Sequence, residues 1–113
     1  MYCTFAQIKS TTVMKKDVFN QYVERVSELF GISTEDMFSK IKKRDAVDAR
    51  QLLYFLCSER KIAPSYIQKF MKERGYEVGH STVLHGVSVV KKKMEEDKDY
   101  VSVVKDMERA VYM

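Results

Sequence analysis

The sequence has 113 residues, of which 45% are hydrophobic and 32% charged, with only four glycines and one proline. This size and balance are typical of one globular domain, and the scarcity of glycine and proline favours helices joined by short turns over an all-β sandwich. The sequence contains neither the run of about 18 apolar residues that a membrane span needs nor a signal peptide, so we expect a cytoplasmic protein.

The net charge of +4 is unevenly distributed along the chain. Residues 40–93 carry 13 Lys/Arg and five Asp/Glu, a balance of +8, whereas the remaining residues carry seven and 11, a balance of −4. A basic middle segment favours a polyanionic partner, although lysines that only keep the surface soluble would give the same count. Cys3 and Cys57 lack the spacing of a metal site, and Cys57 is expected to be a buried free thiol.

The helical pattern becomes clear from Asp17, which is expected to cap a first helix. The apolar stripe of this helix consists of Val18, Tyr22, Val26 and Leu29. Residues 1–16 are open to either a short strand or a helix. Gly31 is expected to end the first helix, and Ser33 or Thr34 to cap a short helix in STEDMF before a basic loop, SKIKKRDAVDA.

Four more helices are expected after this loop. Asp48 is predicted to cap a central helix, RQLLYFLCSERK, and Pro64 suits the first turn of the next helix, which Gly75 ends. A fifth helix begins at His80 or Ser81. The last helix carries an apolar stripe formed by Tyr100 or Val101, Val104, Met107 and Val111.

The fold class that these elements predict is all-α, a compact bundle of about six helices. Heptads are not sustained over the three or four repeats that a coiled coil needs. We divide the chain into an N-terminal extension, residues 1–16, a central domain, residues 17–96, and a C-terminal helix, residues 97–113, packed on that domain.

The segment Gly79–Gly86, GHSTVLHG, holds both histidines of the chain. On a helix with about 100° per residue, an inward stripe is formed by Val83, Val87, Val90 and Met94. The opposite, outward stripe is formed by Ser81, His85, Ser88 and Lys92. Gly86 lies at the edge of the inward stripe, where the missing side chain allows another helix to approach closely.

Two kinds of chemistry are disfavoured for this segment. His80 and His85 are five residues apart and do not stack on one helix face, and no cluster of cysteines or acids joins them, so we expect no metal. Ser81 and His85 lack the acid and the oxyanion site that a nucleophilic serine requires. We therefore expect neither an enzyme nor a cofactor, and a plain solvated face remains open.

A helix, a short turn with glycine and a second helix with small polar residues at its start are typical of a helix-turn-helix. The second helix of such a motif fits the major groove of DNA, and the helix N-termini at Pro64 and Ser81 can donate to phosphate oxygens. Lys92 lies near the far end of that helix. The basic loop contains Lys40, Lys42, Lys43 and Arg44. These residues either lie along the DNA backbone or in a minor groove, or they are simply solvated.

The stretch from Asp17 to Met94, about two-thirds of the chain, resembles the C-terminal DNA-binding domain of the bacterial replication initiator DnaA. That family carries a D-H-T-T-V-L-H-A run where this chain has GHSTVLHG. Its basic loop, approximately S-K-R-R-S-R followed by R-P-R-Q, is similar to SKIKKR and DARQ here, and VSELFGISTEDMFSK fits the family's preceding helices.

The resemblance implies sequence-specific binding of double-stranded DNA through the helix-turn-helix. By position, it implies major-groove contacts for His80, Ser81 and Thr82, and it places Pro64 against a base methyl or the backbone. Lys42 corresponds to a minor-groove arginine. Phosphate contacts are implied for Lys40, Arg44 and Arg50, although Arg50 is open to a structural ion pair with Asp48 or Asp45.

The chain also departs from the family pattern. Gly79 and Val78 replace an acid and an arginine, Lys42 and Asp48 replace basic family residues, and the first motif helix with its turn is about four residues longer. Because a P-loop is missing, we expect a stand-alone DNA-binding protein in replication or transcription control, which binds no nucleotide or membrane and is nucleoid-associated when DNA-bound. The alternative is a helical interaction module that binds another replication protein or a second copy of itself.

Overall fold

The structure, a computed structural model, describes residues 4–40 and 43–110, and the side chains of residues 15–40 and 43–109. These residues form six helices and no strand, which confirms the all-α bundle. The helices are α1 (Thr4–Phe30), α2 (Thr34–Met37), α3 (Arg44–Glu59), α4 (Pro64–Glu73), α5 (His80–Glu96) and α6 (Lys98–Ala110). None of the helices in this part of the chain is long and apolar enough to cross a membrane.

The first helix is longer than expected. The prediction that Asp17 caps it is wrong: α1 begins at Thr4, and the boundary placed between residues 16 and 17 falls inside it. Because residues 4–16 contain no glycine or proline, nothing in this segment interrupts a helix. The predicted inward placement of Val18, Tyr22 and Val26 is confirmed. The same prediction for Leu29 is wrong, because 43% of this residue is exposed.

Two glycines end helices as the sequence indicates. Gly31 and Gly75 have φ angles of +64° and +87°, the left-handed region that favours glycine. In each turn the next residue's N–H donates back to the helix, Ile32 to the carbonyl of Ser27 and Tyr76 to that of Met71, both at 3.0 Å. These bonds satisfy carbonyls that the end of a helix otherwise leaves without a partner.

The central helix, α3, packs against both α1 and α5. The prediction that Asp48 caps it is wrong, because Lys43 holds the N-cap position and the helix begins at Arg44. Asp48 instead lies one turn inside, where its side chain accepts a hydrogen bond from Lys93. Cys57 is fully buried, as expected, and this burial raises the pKa of its thiol.

The last helix, α6, packs against α5 and α1. Val104 is fully buried within the core, and Tyr100 and Met107 are partly buried against it. Val111, the last member of the expected stripe, lies outside the described residues. Asp97 starts α6: its carboxylate accepts from the N–H groups of Asp99 and Tyr100 at 2.9 and 3.4 Å.

Candidate nucleic-acid interface

The two motif helices, α4 and α5, are joined by residues 74–79. Pro64 occupies the first turn of α4, where its missing N–H costs no hydrogen bond. The turn is fixed from the side, because the amide of Gln68 on α4 donates to the carbonyl of Val78 at 3.0 Å. Ile67 of α4 and Val83 of α5 are fully buried in the common core, so the two helices are held in one arrangement.

The two stripes of α5 face the core and the solvent, as the sequence predicts. Val83 and Val90 are fully buried and Val87 nearly so, while Met94 is partly buried. The outward stripe is exposed along its whole length and consists of Ser81, His85, Ser88 and Lys92. The polar stripe is therefore free to meet a partner while the apolar stripe holds the helix in the core.

Gly86 lets α5 approach α3 closely, as its position indicates. A Cβ atom added there would lie 2.8 Å from Cδ2 of Tyr54 and 3.4 Å from the Cα of Gln51, both on α3. The first distance is shorter than carbon atoms tolerate, so a side chain at residue 86 would push the two helices apart. Gly86 thus fixes the position of α5 relative to the middle of α3.

The first turn of α5 presents its polar groups to solvent. Its N-cap, Gly79, has no side chain that accepts from the first-turn N–H groups, and His80, Ser81 and Thr82 are all exposed. At the other N-caps beside the basic loop and the motif, Lys43 for α3 and Ala63 for α4, no side-chain bond is found either. By contrast, Ser33 caps α2 by accepting from the N–H of Asp36 at 3.1 Å.

Two grooves flank the first turn of α5. The α4-side groove is lined by Ser65, Gln68, Lys69, Lys72, Glu77, Val78 and Gly79. The α3-side groove is lined by Val47, Arg50, Gln51, Tyr54, Tyr76, Thr82 and His85. The start of α5 therefore stands as a polar ridge between a basic groove and a mainly apolar one.

The basic loop is shorter than predicted, because α3 begins at Arg44. Lys40 and Lys43 are exposed, and the Arg44 side chain is 91% exposed. The Nε of Arg44 lies 3.8 Å from a carboxylate oxygen of Asp48, a contact that such exposure leaves weak. Lys42, the expected minor-groove residue, lies outside the described residues.

Arg50 is placed inside the domain. Only 6% of it is exposed, and its Nη1 donates to the carbonyls of Met37 at 2.8 Å and Ser39 at 3.2 Å. The ring of Tyr76 lies 4.8 Å from its guanidinium carbon. These contacts give Arg50 a structural role, since it ties the end of α2, just before Lys40, to α3, and its expected phosphate contact stays a prediction.

The charge of Asp48 is compensated within the domain. Besides Arg44, its carboxylate contacts the Nζ of Lys93 at 3.3 Å. Burial, together with the nearby Asp48 charge, raises the pKa of Tyr100 to about 12. The Asp48 carboxylate is thus a structural partner of α5, and its repulsion of a phosphate is reduced.

Several residues that line the two flanks of α5 were not among the predicted contact residues. Ser65, Lys69 and Lys72 recur at helical spacing, a pattern that was open to detection in the sequence. Gln51 and Tyr76 line the α3-side groove through contacts between distant segments, which no local pattern reveals. No group of three metal-ligating side chains occurs among the residues that the structure describes.

Comparison with known proteins identifies the same region. The family "Bacterial dnaA protein helix-turn-helix" matches residues 20–90. The chain is 36% identical to the chromosomal replication initiator protein DnaA of Porphyromonas gingivalis over 100 residues, covering 86% of the chain and 20% of the relative. It is 31% identical over 100 residues to DnaA of Flavobacterium psychrophilum, covering 85% of the chain and 20% of the relative.

A further similarity is to the chromosomal replication initiator protein DnaA 2 of Protochlamydia amoebophila, which is 35% identical over 81 residues, covering 71% of the chain and 17% of the relative. The chain thus spans about a fifth of the length of these relatives. In each comparison the similarity covers most of the chain.

Proposed function

The chain belongs to the bacterial DnaA helix-turn-helix family, and from this premise we propose that it binds double-stranded DNA with preference for one sequence, placing α5 in the major groove. Membership of the family supports DNA binding in general. The observation that carries the docking is the first turn of α5, which is exposed, polar and without a capping side chain.

The shape and chemistry of this turn suit base edges. A major groove about 12 Å wide accepts an α-helix, and short side chains at its start allow the backbone to come close. His80, Ser81 and Thr82 offer donors and acceptors for bases, and the N–H groups of this turn attract phosphate oxygens. His85, one turn further along the outward stripe, extends the contact, and Lys92 meets a phosphate near the far end.

The basic loop supplies contacts that do not depend on sequence. Lys40, Lys43 and Arg44, together with Lys42, neutralise phosphates or enter a minor groove, while Pro64 lies against the DNA at the start of α4. Arg50 contributes indirectly by holding the carbonyls of Met37 and Ser39, which sets where the loop leaves the domain.

The biological process that this activity serves is the control of replication or of transcription. The relatives are named chromosomal replication initiators, and the chain matches about a fifth of their length. Its proposed location is the cytoplasm, on the nucleoid when DNA-bound. Another replication protein or a second copy of the chain is a further proposed partner.

Selection of bound duplexes from a random DNA pool tests the proposal. One motif is expected to become enriched, and its binding constant should fall with salt, with a log–log slope of about −0.9 for each phosphate contact. A spaced repeat in the enriched motif would indicate a dimer. Absence of any duplex binding at low salt would contradict the proposal.

A protein-binding module on the same scaffold is the second candidate. It is favoured by a groove between α1 and α6, where Leu29 is 43% exposed beside Met107. If this surface binds a second copy, Leu29→Arg should abolish a dimer in sedimentation equilibrium while the monomer stays folded. A wild-type chain that is monomeric at high concentration excludes the second copy.

A further inference from the structure

A helix in the major groove lies between two phosphate backbones, one on each side. The basic loop precedes α3, whose first turns border α5 on one flank. We propose that Lys69 and Lys72 of α4 bind phosphates of the other strand, on the opposite flank of α5. This inference rests on the proposed binding of duplex DNA and adds a second set of backbone contacts to it.

The two lysines share the outward face of α4. Ile67, Phe70 and Met71 are buried and define the inward face of this helix. Ser65, Lys69 and Lys72 are exposed and, at about 100° per residue, lie within roughly 60° of one another on the opposite side. The face therefore presents a hydroxyl followed by two cations along nearly the full length of α4.

This face borders the start of α5. Ser65, Lys69 and Lys72 line the same groove as Val78 and Gly79, the two residues that precede α5. A DNA strand that passes the first turn of α5 on this side therefore runs over the groove. Phosphate oxygens there would meet the ammonium groups of Lys69 and Lys72 and the hydroxyl of Ser65.

The cations sit on a helix whose inner face, Ile67, Phe70 and Met71, is buried in the core, and two exposed contacts near its end add to this packing. The Nζ of Lys16 on α1 lies 2.8 Å from the carboxylate of Glu73 on α4. Arg74, directly after α4, donates to the side-chain oxygen of Asn20 at 2.6 Å. A charged face on a helix held in this way needs little ordering when it meets a phosphate backbone.

Glu77 is the one acid among the described residues that line this groove, and it opposes the proposed contact. Its carboxylate lies 3.9 Å from the Nζ of Lys72, with both side chains more than 70% exposed, so the pair is weak and easily exchanged for a phosphate. The acid nevertheless lowers the positive potential of the groove. Removing its charge should therefore strengthen DNA binding, the opposite of removing the lysines.

The test compares the double variant K69Q/K72Q with K98Q/K105Q, which removes two exposed lysines from α6 and changes the net charge equally. The salt slope of duplex binding should become less steep by about 1.8 in K69Q/K72Q, since each phosphate contact contributes about 0.9. The preferred sequence should not change. In K98Q/K105Q the slope should stay within about 0.5 of the wild-type value.

Neutral methylphosphonates placed on one strand at a time locate the contact. Neutralising the strand on the α4 flank should weaken DNA binding by the wild type more than DNA binding by K69Q/K72Q, whereas neutralising the other strand should weaken binding by both proteins equally. E77Q should bind duplex DNA about twofold to threefold more tightly than the wild type, with E95Q as the control that does not.

The possible results separate the two proposals. A wild-type chain that binds no duplex overturns both the proposed function and this inference. A wild-type chain that binds duplex while K69Q/K72Q and K98Q/K105Q show the same slope overturns only the inference. Thermal unfolding of all variants should match the wild type, because the changed side chains are exposed.

Discussion

The two ends of α5 differ in whether their polar groups face solvent or are paired within the domain. At the start, Gly79 offers no cap and the polar side chains of the first turn face solvent. At the far end, Lys93 pairs with Asp48 at 3.3 Å, and Asp97 caps the next helix through two backbone N–H groups. One end presents its polar groups to solvent, and at the other end polar side chains are paired within the domain.

This difference distinguishes the end of α5 that is proposed to bind DNA from the end that stabilises the fold. A cap such as Asp97 stabilises a helix by about 1 kcal/mol, so a helix start without one gives up stability that a ligand can restore. The uncapped starts of α3, α4 and α5 belong to the elements that border the two grooves, and the capped starts of α2 and α6 do not. Changes at the two ends should therefore affect binding and stability separately.

The largest effect is expected for Arg50→Met. This change leaves the carbonyls of Met37 and Ser39 without their buried donor, and the free energy of unfolding should fall by about 3 kcal/mol in urea titrations. Arg44→Met removes the same charge from an exposed position. It should change stability by about 0.5 kcal/mol or less and weaken DNA binding equally for all sequences. Equal loss of stability in both variants would contradict the roles assigned here.

His80→Ala should weaken binding to the selected duplex by about tenfold, which corresponds to roughly 1.4 kcal/mol, because a base contact is lost. The exposed side chain makes no contribution to the core, so the unfolding midpoint should not move. Fluorescence anisotropy measures the affinity, and Ser102→Ala on the exposed side of α6 is the control. Unchanged affinity of His80→Ala would remove this residue from the interface.

Asp97→Ala tests the opposite end of α5. Loss of the cap on α6 should lower the free energy of unfolding by about 1 kcal/mol, measured by chemical denaturation. DNA affinity at a temperature where both proteins are folded should be unchanged. A large loss of affinity would mean that α6 takes part in binding.

The smallest effect is expected for Gly79→Ser, which adds a cap to α5. There is room for the side chain, since the nearest atom to an added Cβ is Oγ1 of Thr82 at 4.0 Å. Stability should rise by a few tenths of a kcal/mol, because serine accepts from a first-turn N–H. Binding should weaken, because the same N–H groups are then occupied. A variant that gains both stability and affinity would contradict the role of the uncapped turn.

Local patterns account for the parts of the fold that could be predicted from the sequence. Helical periodicity gave the inward and outward stripes of α5, and residue preferences placed Gly31, Gly75, Ser33 and Pro64 at helix ends. These features depend on neighbours within about one turn of the chain. The close approach at Gly86 followed from the same periodicity.

The errors concern contacts between segments far apart in the chain. The structural contacts of Arg50 were not predicted, because its buried partners, at residues 37 and 39, are not visible as a sequence pattern. Asp48 is a residue type that often caps helices, but its partner in the structure is Lys93, which lies 45 residues away in the chain. The early start of α1 was not predicted, because the apolar pattern of residues 4–16 is weak. This segment nevertheless contains no glycine or proline that would interrupt a helix.

Amide chemical shifts measured while the selected duplex is added test the central claim most directly. The largest changes are expected at Gly79–Thr82 and at Lys43 and Arg44, with smaller ones on the outward face of α4, while α6 from Lys98 to Ala110 stays unchanged. Changes concentrated on α6, with the first turn of α5 unaffected, would contradict the account.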